Sequence, residues 1–137
     1  MADRVEFSDT DMAGIMHYSN FFRFMETCEH DFYRKLGLKL IEKQSDGSSI
    51  GWPRVSCSCD FKRALKFQDE VEVTLKVAKK TSKAISYEFI FKKKGEAADQ
   101  AECARGSVTI VCCVFRGGQL QATLIPKEFD EKIEVAK

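Results

Sequence analysis

The chain has 137 residues, of which 44% are hydrophobic and 31% are charged. This length and balance fit one globular domain over residues 1–137 and argue against a disordered chain. With 22 basic and 21 acidic residues, the chain has no global attraction for nucleic acid or for an anionic membrane surface.

The sequence also indicates the compartment and the state of the thiols. No run approaches the ~20 apolar residues that a transmembrane helix needs. The first residues include acidic side chains and lack an apolar segment, so a secretory signal is not expected. We therefore expect a cytoplasmic protein with six reduced cysteines. Their spacing and the presence of only two histidines do not match a zinc site, and no metal is expected.

The first third of the chain predicts one long helix. A possible short strand at residues 3–8 is followed by a turn-rich segment at residues 9–14. From about residue 20 to residue 36, apolar side chains recur at steps of three and four, which is the pattern of a helix with one buried face. These side chains are Phe21, Met25, Cys28, Phe32 and Leu36.

The predicted helix has signals at both ends. Ser19 or Asn20 can cap its start, because either side chain can accept a hydrogen bond from an exposed backbone N–H. Gly37 is placed to end it. The polar side of the helix is expected to carry Arg23, Glu26, Glu29, Arg34 and Lys35.

The rest of the chain predicts a sheet. Residues 40–50 have the composition of a loop, and from residue 54 onward apolar and polar residues alternate, as in half-buried antiparallel strands. The predicted strands cover residues 55–61, 71–77, 85–91, 108–114 and 119–124. One long helix against a single curved antiparallel sheet is an α+β architecture. The uncovered face and edges of such a sheet predict a partner subunit.

Four segments carry a resemblance to a known family. Residues 7–26 read FSDTDMAGIMHYSNFFRFME, and residues 61–71 read FKRALKFQDEV; Ala104-Arg105-Gly106 and Ile125-Pro126-Lys127-Glu128 follow. Together they resemble the 4-hydroxybenzoyl-CoA thioesterase family over nearly the whole chain. Two departures are visible, since many members have proline near Lys66 or Ala64 and some read Tyr-His where this chain has His17-Tyr18.

The resemblance implies a fold and an activity. The fold is the hotdog fold, in which an antiparallel sheet wraps around one central helix. The activity is hydrolysis of an aryl-CoA or a short- or medium-chain acyl-CoA thioester by a homodimer or homotetramer. No cofactor is implied, and the acyl group stays open. Whether CoA or acyl carrier protein is the leaving group also stays open.

The resemblance also assigns site residues. Asp11 is the implied catalytic carboxylate, either as general base or as nucleophile, and the Tyr18 backbone N–H is the implied donor to the thioester carbonyl. A carboxylate before a helix N-terminus is physically suited to this reaction, because the first N–H groups of the helix can stabilise an oxyanion. Gly14 permits a tight turn. His17 and Asn20 are further candidates for contacting the substrate.

Simpler interpretations stand beside these assignments. Asp9 is expected to hold the loop, and Glu26 is expected to be structural. Three basic clusters could meet CoA phosphates or could be solvated turns. The first cluster is Lys62, Arg63 and Lys66, the second is Lys79, Lys80 and Lys83, and the third is Lys92, Lys93 and Lys94. The alternative functions are a non-catalytic module that binds acyl-CoA or acyl carrier protein, and a hydratase. The spacing of Asp11 and His17 does not match a hydratase motif.

Overall fold

The computed structural model describes residues 1–137 and contains two helices and nine strands. The helices are α1 (Ser19–Leu36) and α2 (Lys127–Lys132). The strands are β1 (Ala2–Arg4), β2 (Glu42–Lys43), β3 (Ser49–Gly51), β4 (Arg54–Phe61), β5 (Glu70–Lys80), β6 (Ala84–Lys93), β7 (Glu102–Val111), β8 (Cys113–Arg116) and β9 (Gln119–Ala122). Neither helix has the length and apolar character needed to cross a membrane.

Five strands form the main sheet, in the spatial order β1-β5-β6-β7-β4, and every neighbouring pair is antiparallel. The helix α1 packs on this sheet, and its buried side chains join those of the strands in one hydrophobic core of 25 residues. The buried residues of α1 are Phe21, Phe24, Met25, Cys28, Glu29 and Tyr33. The predicted α+β hotdog architecture is confirmed.

The end of α1 follows the sequence signal, whereas its start does not. Gly37 adopts φ +71°, a left-handed conformation that glycine tolerates, and its N–H donates to the Arg34 carbonyl at 3.1 Å. No side chain caps the N-terminus of α1. The capping prediction for Ser19 and Asn20 is therefore wrong, because their side chains bond to His17 and to the Asp9 carbonyl instead.

Several predicted elements have different bounds in the structure. The segment predicted as a strand at residues 3–8 is β1 followed by a single 3-10 turn at Phe7–Asp9. The predicted loop at 40–50 contains β2 and the start of β3, which join β8 and β9 in a second, four-stranded sheet. The prediction of a single sheet is wrong for this reason. The helix α2 was not predicted; Phe129 and Ile133 anchor this segment in the core.

The strand β4 lies at one end of the main sheet and pairs only with β7. Its alternating pattern predicted a half-buried strand, but its apolar side chains are largely uncovered in a single chain. Val55 is 60% exposed, Phe61 is 50% exposed, and Cys57 is exposed. An exposed apolar edge strand of eight residues is a surface on which another chain can pair.

Candidate active site

Asp11 lies in a tight turn that the backbone closes on both sides. Its N–H donates to the Ile15 carbonyl at 3.0 Å, and its carbonyl accepts the Gly14 N–H at 3.0 Å. Oδ1 of the carboxylate accepts the Ala13 N–H at 2.8 Å, a local bond that orients the side chain. Gly14 has φ +80°, which glycine adopts without steric strain. Oδ2 of Asp11 makes no hydrogen bond within the chain and is open to a ligand.

Asp9 joins this turn to α1. Its carboxylate is only 6% exposed and pairs with the Arg23 guanidinium through Oδ1, while Oδ2 accepts the Glu6 N–H at 2.9 Å. Its carbonyl accepts the His17 N–H at 2.8 Å and the side-chain amide of Asn20 at 2.9 Å. The expectation that Asp9 holds the loop is confirmed by these contacts.

The turn also docks on the segment that follows β4. The Met16 N–H donates to the Leu65 carbonyl at 2.7 Å, and Ile15 forms an isolated antiparallel bridge with Lys66. Met16 and Leu65 are both buried. The Asp11 turn is thus held by side-chain contacts to α1 and by backbone contacts to the segment after β4.

The start of α1 presents one free backbone donor. The Ser19 N–H donates to His17 Nδ1 at 3.3 Å, and the N–H groups of Asn20 and Phe21 donate to the carbonyls of His17 and Tyr18 at 3.0 and 3.2 Å. The Tyr18 N–H has no acceptor within the chain. It points out at the positive end of the helix dipole, where a developing negative charge is stabilised.

A cavity of about 360 Å³ lies between the Asp11 turn, the start of α1 and the segment after β4. Its walls are mainly apolar, and the rings of Phe21 and Phe61 meet edge to face with centroids 4.9 Å apart. Asp11 is the only carboxylate in its lining. The lining residues are Asp11, Ile15, Met16, Tyr18, Phe21, Phe61, Lys62, Arg63, Ala64 and Leu65.

The structure brings the sequence-predicted site residues into one region but gives them different positions. Asp11 and Tyr18 line the cavity. Gly14, His17 and Asn20 lie outside its lining and shape the turn and the helix start through the bonds described above. The His17 ring stacks at a tilt on the Tyr18 ring, with centroids 4.5 Å apart.

The basic residues beside the cavity differ in their availability. Lys62 pairs with Glu102, which also bonds to Arg105 at 2.6 Å; hydrogen bonds from Arg105 and Lys62 lower the pKa of Glu102 to about 2. Arg63 and Lys66 form no ion pair within the chain. They are the basic residues nearest the cavity that are free to meet a phosphate.

Neither a metal site nor a disulfide is present. No group of three or more His, Cys, Asp and Glu side chains could hold a metal ion. All six cysteines are free thiols. Burial raises the pKa of the Cys59 and Cys112 thiols to about 11, so these two are poor nucleophiles at neutral pH.

Both cavities lie along the border between α1 and β4, which we call the crevice. The second cavity has a volume of about 180 Å³ and lies farther from Asp11. It is lined by Phe22, Met25, Glu26, Glu29, Arg54, Cys57, Phe89 and Val108. Glu29 was predicted on the polar side of the helix, and that prediction is wrong, because Glu29 is 1% exposed and pairs with Arg54. The helical period places Glu29 one turn after Met25, on the buried side, but only the fold shows that Arg54 comes close enough to pair with it.

The chain matches known proteins over nearly its full length. The model of the thioesterase-like superfamily matches residues 5–133. The 4-hydroxybenzoyl-CoA thioesterase of Pseudomonas sp. (strain CBS-3) is 23% identical over 136 residues, covering 96% of this chain and 94% of that protein.

Solved structures of thioesterases have the same fold as this chain over nearly its whole length. A gentisyl-coenzyme A thioesterase superposes with a TM-score of 0.79 at 28% identity, covering 98% of both chains. A 1,4-dihydroxy-2-naphthoyl-CoA thioesterase from Synechocystis has a TM-score of 0.83 at 20% identity, covering 97% of this chain and 93% of that one.

Proposed function

Because the chain belongs to the thioesterase-like superfamily and is a thioester hydrolase, we propose that it hydrolyses acyl-CoA at the cavity beside Asp11. The observation that carries this proposal is the pairing of two free groups at one cavity. One is Oδ2 of Asp11, and the other is the Tyr18 N–H at the start of α1. A carboxylate and an unoccupied backbone donor are the two groups that thioester hydrolysis requires.

In the general-base route, Asp11 takes a proton from water as the water oxygen attacks the thioester carbonyl carbon. The carbonyl oxygen gains negative charge and accepts a hydrogen bond from the Tyr18 N–H. The C–S bond then breaks, the free acid forms, and the CoA thiolate leaves and is protonated. In the nucleophilic route, the Asp11 carboxylate attacks the carbonyl carbon, the C–S bond breaks and the CoA thiolate leaves, and water hydrolyses the resulting acyl anhydride to the free acid and the Asp11 carboxylate. Both routes use the same two groups.

The substrate we propose is an aryl-CoA or a short- or medium-chain acyl-CoA. The apolar walls and the Phe21–Phe61 pair suit an aromatic or aliphatic acyl group. The names of the relatives support the aryl class, because they specify 4-hydroxybenzoyl, gentisyl and dihydroxynaphthoyl thioesters. Arg63 and Lys66 are the side chains we assign to the CoA phosphates.

We further propose that the working protein is a homo-oligomer, a dimer or a tetramer, assembled through β4. The supporting observation is the uncovered apolar side of this edge strand, which runs beside both cavities. Pairing β4 with its counterpart in a second copy would cover Val55, Cys57 and Phe61. It would also place the partner chain beside the acyl-binding crevice.

The assay that tests the catalytic assignment follows thiol release from a panel of aryl- and alkyl-CoA thioesters. We expect Asp11→Asn to lower kcat by about 100-fold or more, because the change keeps the shape and removes the charge. Asp31→Asn, on α1 but outside both cavities, is the matched control and should leave kcat unchanged. Equal activity of wild type and Asp11→Asn would show that the carboxylate takes no part, and would move the assignment to Glu26 or Glu29.

A further inference from the structure

The proposed reaction does not use the buried ion pair of the second cavity. Glu29 is 1% exposed, and its Oε1 accepts a hydrogen bond from an Arg54 amino group. Its other oxygen, Oε2, is buried without any hydrogen-bond partner. Buried polar atoms nearly always have a partner in native proteins, so an unpaired carboxylate oxygen indicates a missing ligand or water.

The neighbouring polar groups do not fill this position. Tyr33 and Tyr87 bond to each other through their hydroxyls at 2.5 Å. Arg54 also donates to the Trp52 carbonyl at 3.4 Å and is one-third exposed. Glu29 therefore lines the second cavity and carries a buried carboxylate oxygen that has no partner within the chain.

Both cavities lie along the crevice, and the second lies farther from Asp11 than the first. Tyr18 and Phe21 of α1 line the first cavity, and the next turns of the helix, from Phe22 to Glu29, line the second. The strand β4 borders both, with Phe61 beside the first and Arg54 beside the second. At 1.5 Å of rise per residue, Phe22 lies about 6 Å and Glu29 about 16 Å along the helix from Tyr18.

The direction of the side chains shortens this distance. In a helix the Cα–Cβ bonds tilt toward the N-terminus, so Glu29 leans back toward the Asp11 end of the crevice. An acyl group whose carbonyl lies at Tyr18 and which follows the crevice would bring its far end to Glu29 and Arg54. An extended medium-length chain has the required reach.

The charges of the second cavity select the chemistry of that far end. A carboxylate would meet Glu29 and Glu26, whereas an ammonium group would meet Arg54. A neutral hydroxyl fits both partners, because its O–H can donate to Oε2 of Glu29 and its oxygen can accept from the Arg54 guanidinium. The remaining walls, formed by Phe22, Phe89 and other apolar residues, suit the carbon skeleton.

We propose that Glu29 and Arg54 are specificity-determining residues that bind a hydroxyl at the far end of the acyl group. This inference rests on the proposed acyl-CoA thioesterase activity. It assigns no catalytic step to either residue. A buried hydrogen-bonding pair rejects a ligand that lacks the matching group, because its own polar atoms are then left unpaired.

The test compares matched thioesters that differ only in the distal hydroxyl. The pairs are ω-hydroxyoctanoyl-CoA with octanoyl-CoA, and ω-hydroxydecanoyl-CoA with decanoyl-CoA. The readout is the ratio of kcat/KM within each pair, which a general loss of folding or of catalysis does not change. We expect wild type to prefer the hydroxylated member of at least one pair by about 10-fold or more.

Three variants locate the preference. Glu29→Leu combined with Arg54→Met removes both charges of the pair together, which a fold tolerates better than the loss of one partner. We expect its ratio to fall to about one, and Glu29→Gln to lie between this variant and wild type. Asp31→Asn is the control on the same helix and should keep the wild-type ratio.

Each outcome decides the proposal. A wild-type protein that hydrolyses both members of each pair equally overturns the specificity role and leaves the thioesterase function intact. A preference that survives in the double variant also overturns it. Failure of wild type to hydrolyse any member overturns both the specificity role and the proposed function, so the two failures are distinct.

Discussion

At the scale of single residues, the candidate site depends on a few backbone hydrogen bonds around one carboxylate. Asp11 is exposed, yet its carboxylate is oriented by the Ala13 N–H and its backbone is closed by Ile15 and Gly14. Asp9, two residues earlier, has the opposite role, since its buried side chain ties the turn to α1. The two acidic residues therefore have separate roles, one toward a ligand and one toward the fold.

The conformation of Gly14 gives a prediction at this scale. Its φ is +80° and a methyl group there would meet no atom within 4 Å, so Gly14→Ala is opposed by backbone strain alone. We expect a loss of about 1 kcal/mol in the free energy of unfolding, measured in urea. We also expect a lower kcat, because strain relief would move the Asp11 carboxylate.

Gly95 provides a matched control for this substitution. It has φ +88° with equally open surroundings and lies in the hairpin after β6, away from both cavities. Gly95→Ala should cause a similar loss of stability without a change in kcat. If both variants keep the wild-type kcat, the geometry of the Asp11 turn is not critical for the reaction.

At the scale of secondary-structure elements, two elements define the crevice: the helix α1 and the edge strand β4. The helix supplies the free N–H at its start and the Glu29 carboxylate farther along. The strand supplies Phe61 at one end and Arg54 at the other. Because β4 pairs on one side only, the crevice lies at the border of the sheet rather than within the core.

The exposed side of β4 predicts the effect of a charge placed there. Val55 is 60% exposed in a single chain, so Val55→Asp should not unfold a monomer, but it should disrupt an oligomer that pairs through β4. We expect light scattering to show a drop from the mass of a dimer or tetramer toward that of one chain, together with reduced thioesterase activity.

Leu120 on β9 is the matched control, with 58% of its surface exposed. Leu120→Asp carries the same charge on the smaller sheet and should keep the contact through β4. A monomeric wild-type protein would contradict the oligomer proposal. Dissociation by Leu120→Asp with no effect of Val55→Asp would place the interface on the smaller sheet instead.

At the scale of the whole molecule, the sequence predicts what depends on local periodicity and motif. The apolar stripe of α1 and the left-handed Gly37 are local features, and both are confirmed. The second sheet could not be predicted, since β2 has two residues and β3 has three, and their pairing with β8 joins distant segments. Too few residues alternate in such short strands to form a pattern.

The candidate site also has one part that the sequence predicted and one part that it did not. The motif around Asp11 is contiguous, so sequence and resemblance were sufficient to select Asp11 and Tyr18 as candidates. The burial of Glu29 depends on Arg54, which lies 25 residues away and on a different element. Glu29 was assigned to the polar side because of its charge, although its spacing of four residues from Met25 agrees with the buried face. Periodicity contains no information about the partner that pairs with it there.

The most direct measurement for the central claim is a crystal structure of Asp11→Asn with a bound hydrolysable acyl-CoA thioester. The account predicts that the thioester carbonyl oxygen lies about 3 Å from the Tyr18 backbone nitrogen, the distance expected of an oxyanion donor. It also predicts that the side chain at position 11 faces the carbonyl carbon. A thioester carbonyl bound away from the start of α1, with the Tyr18 N–H facing solvent, would contradict the account.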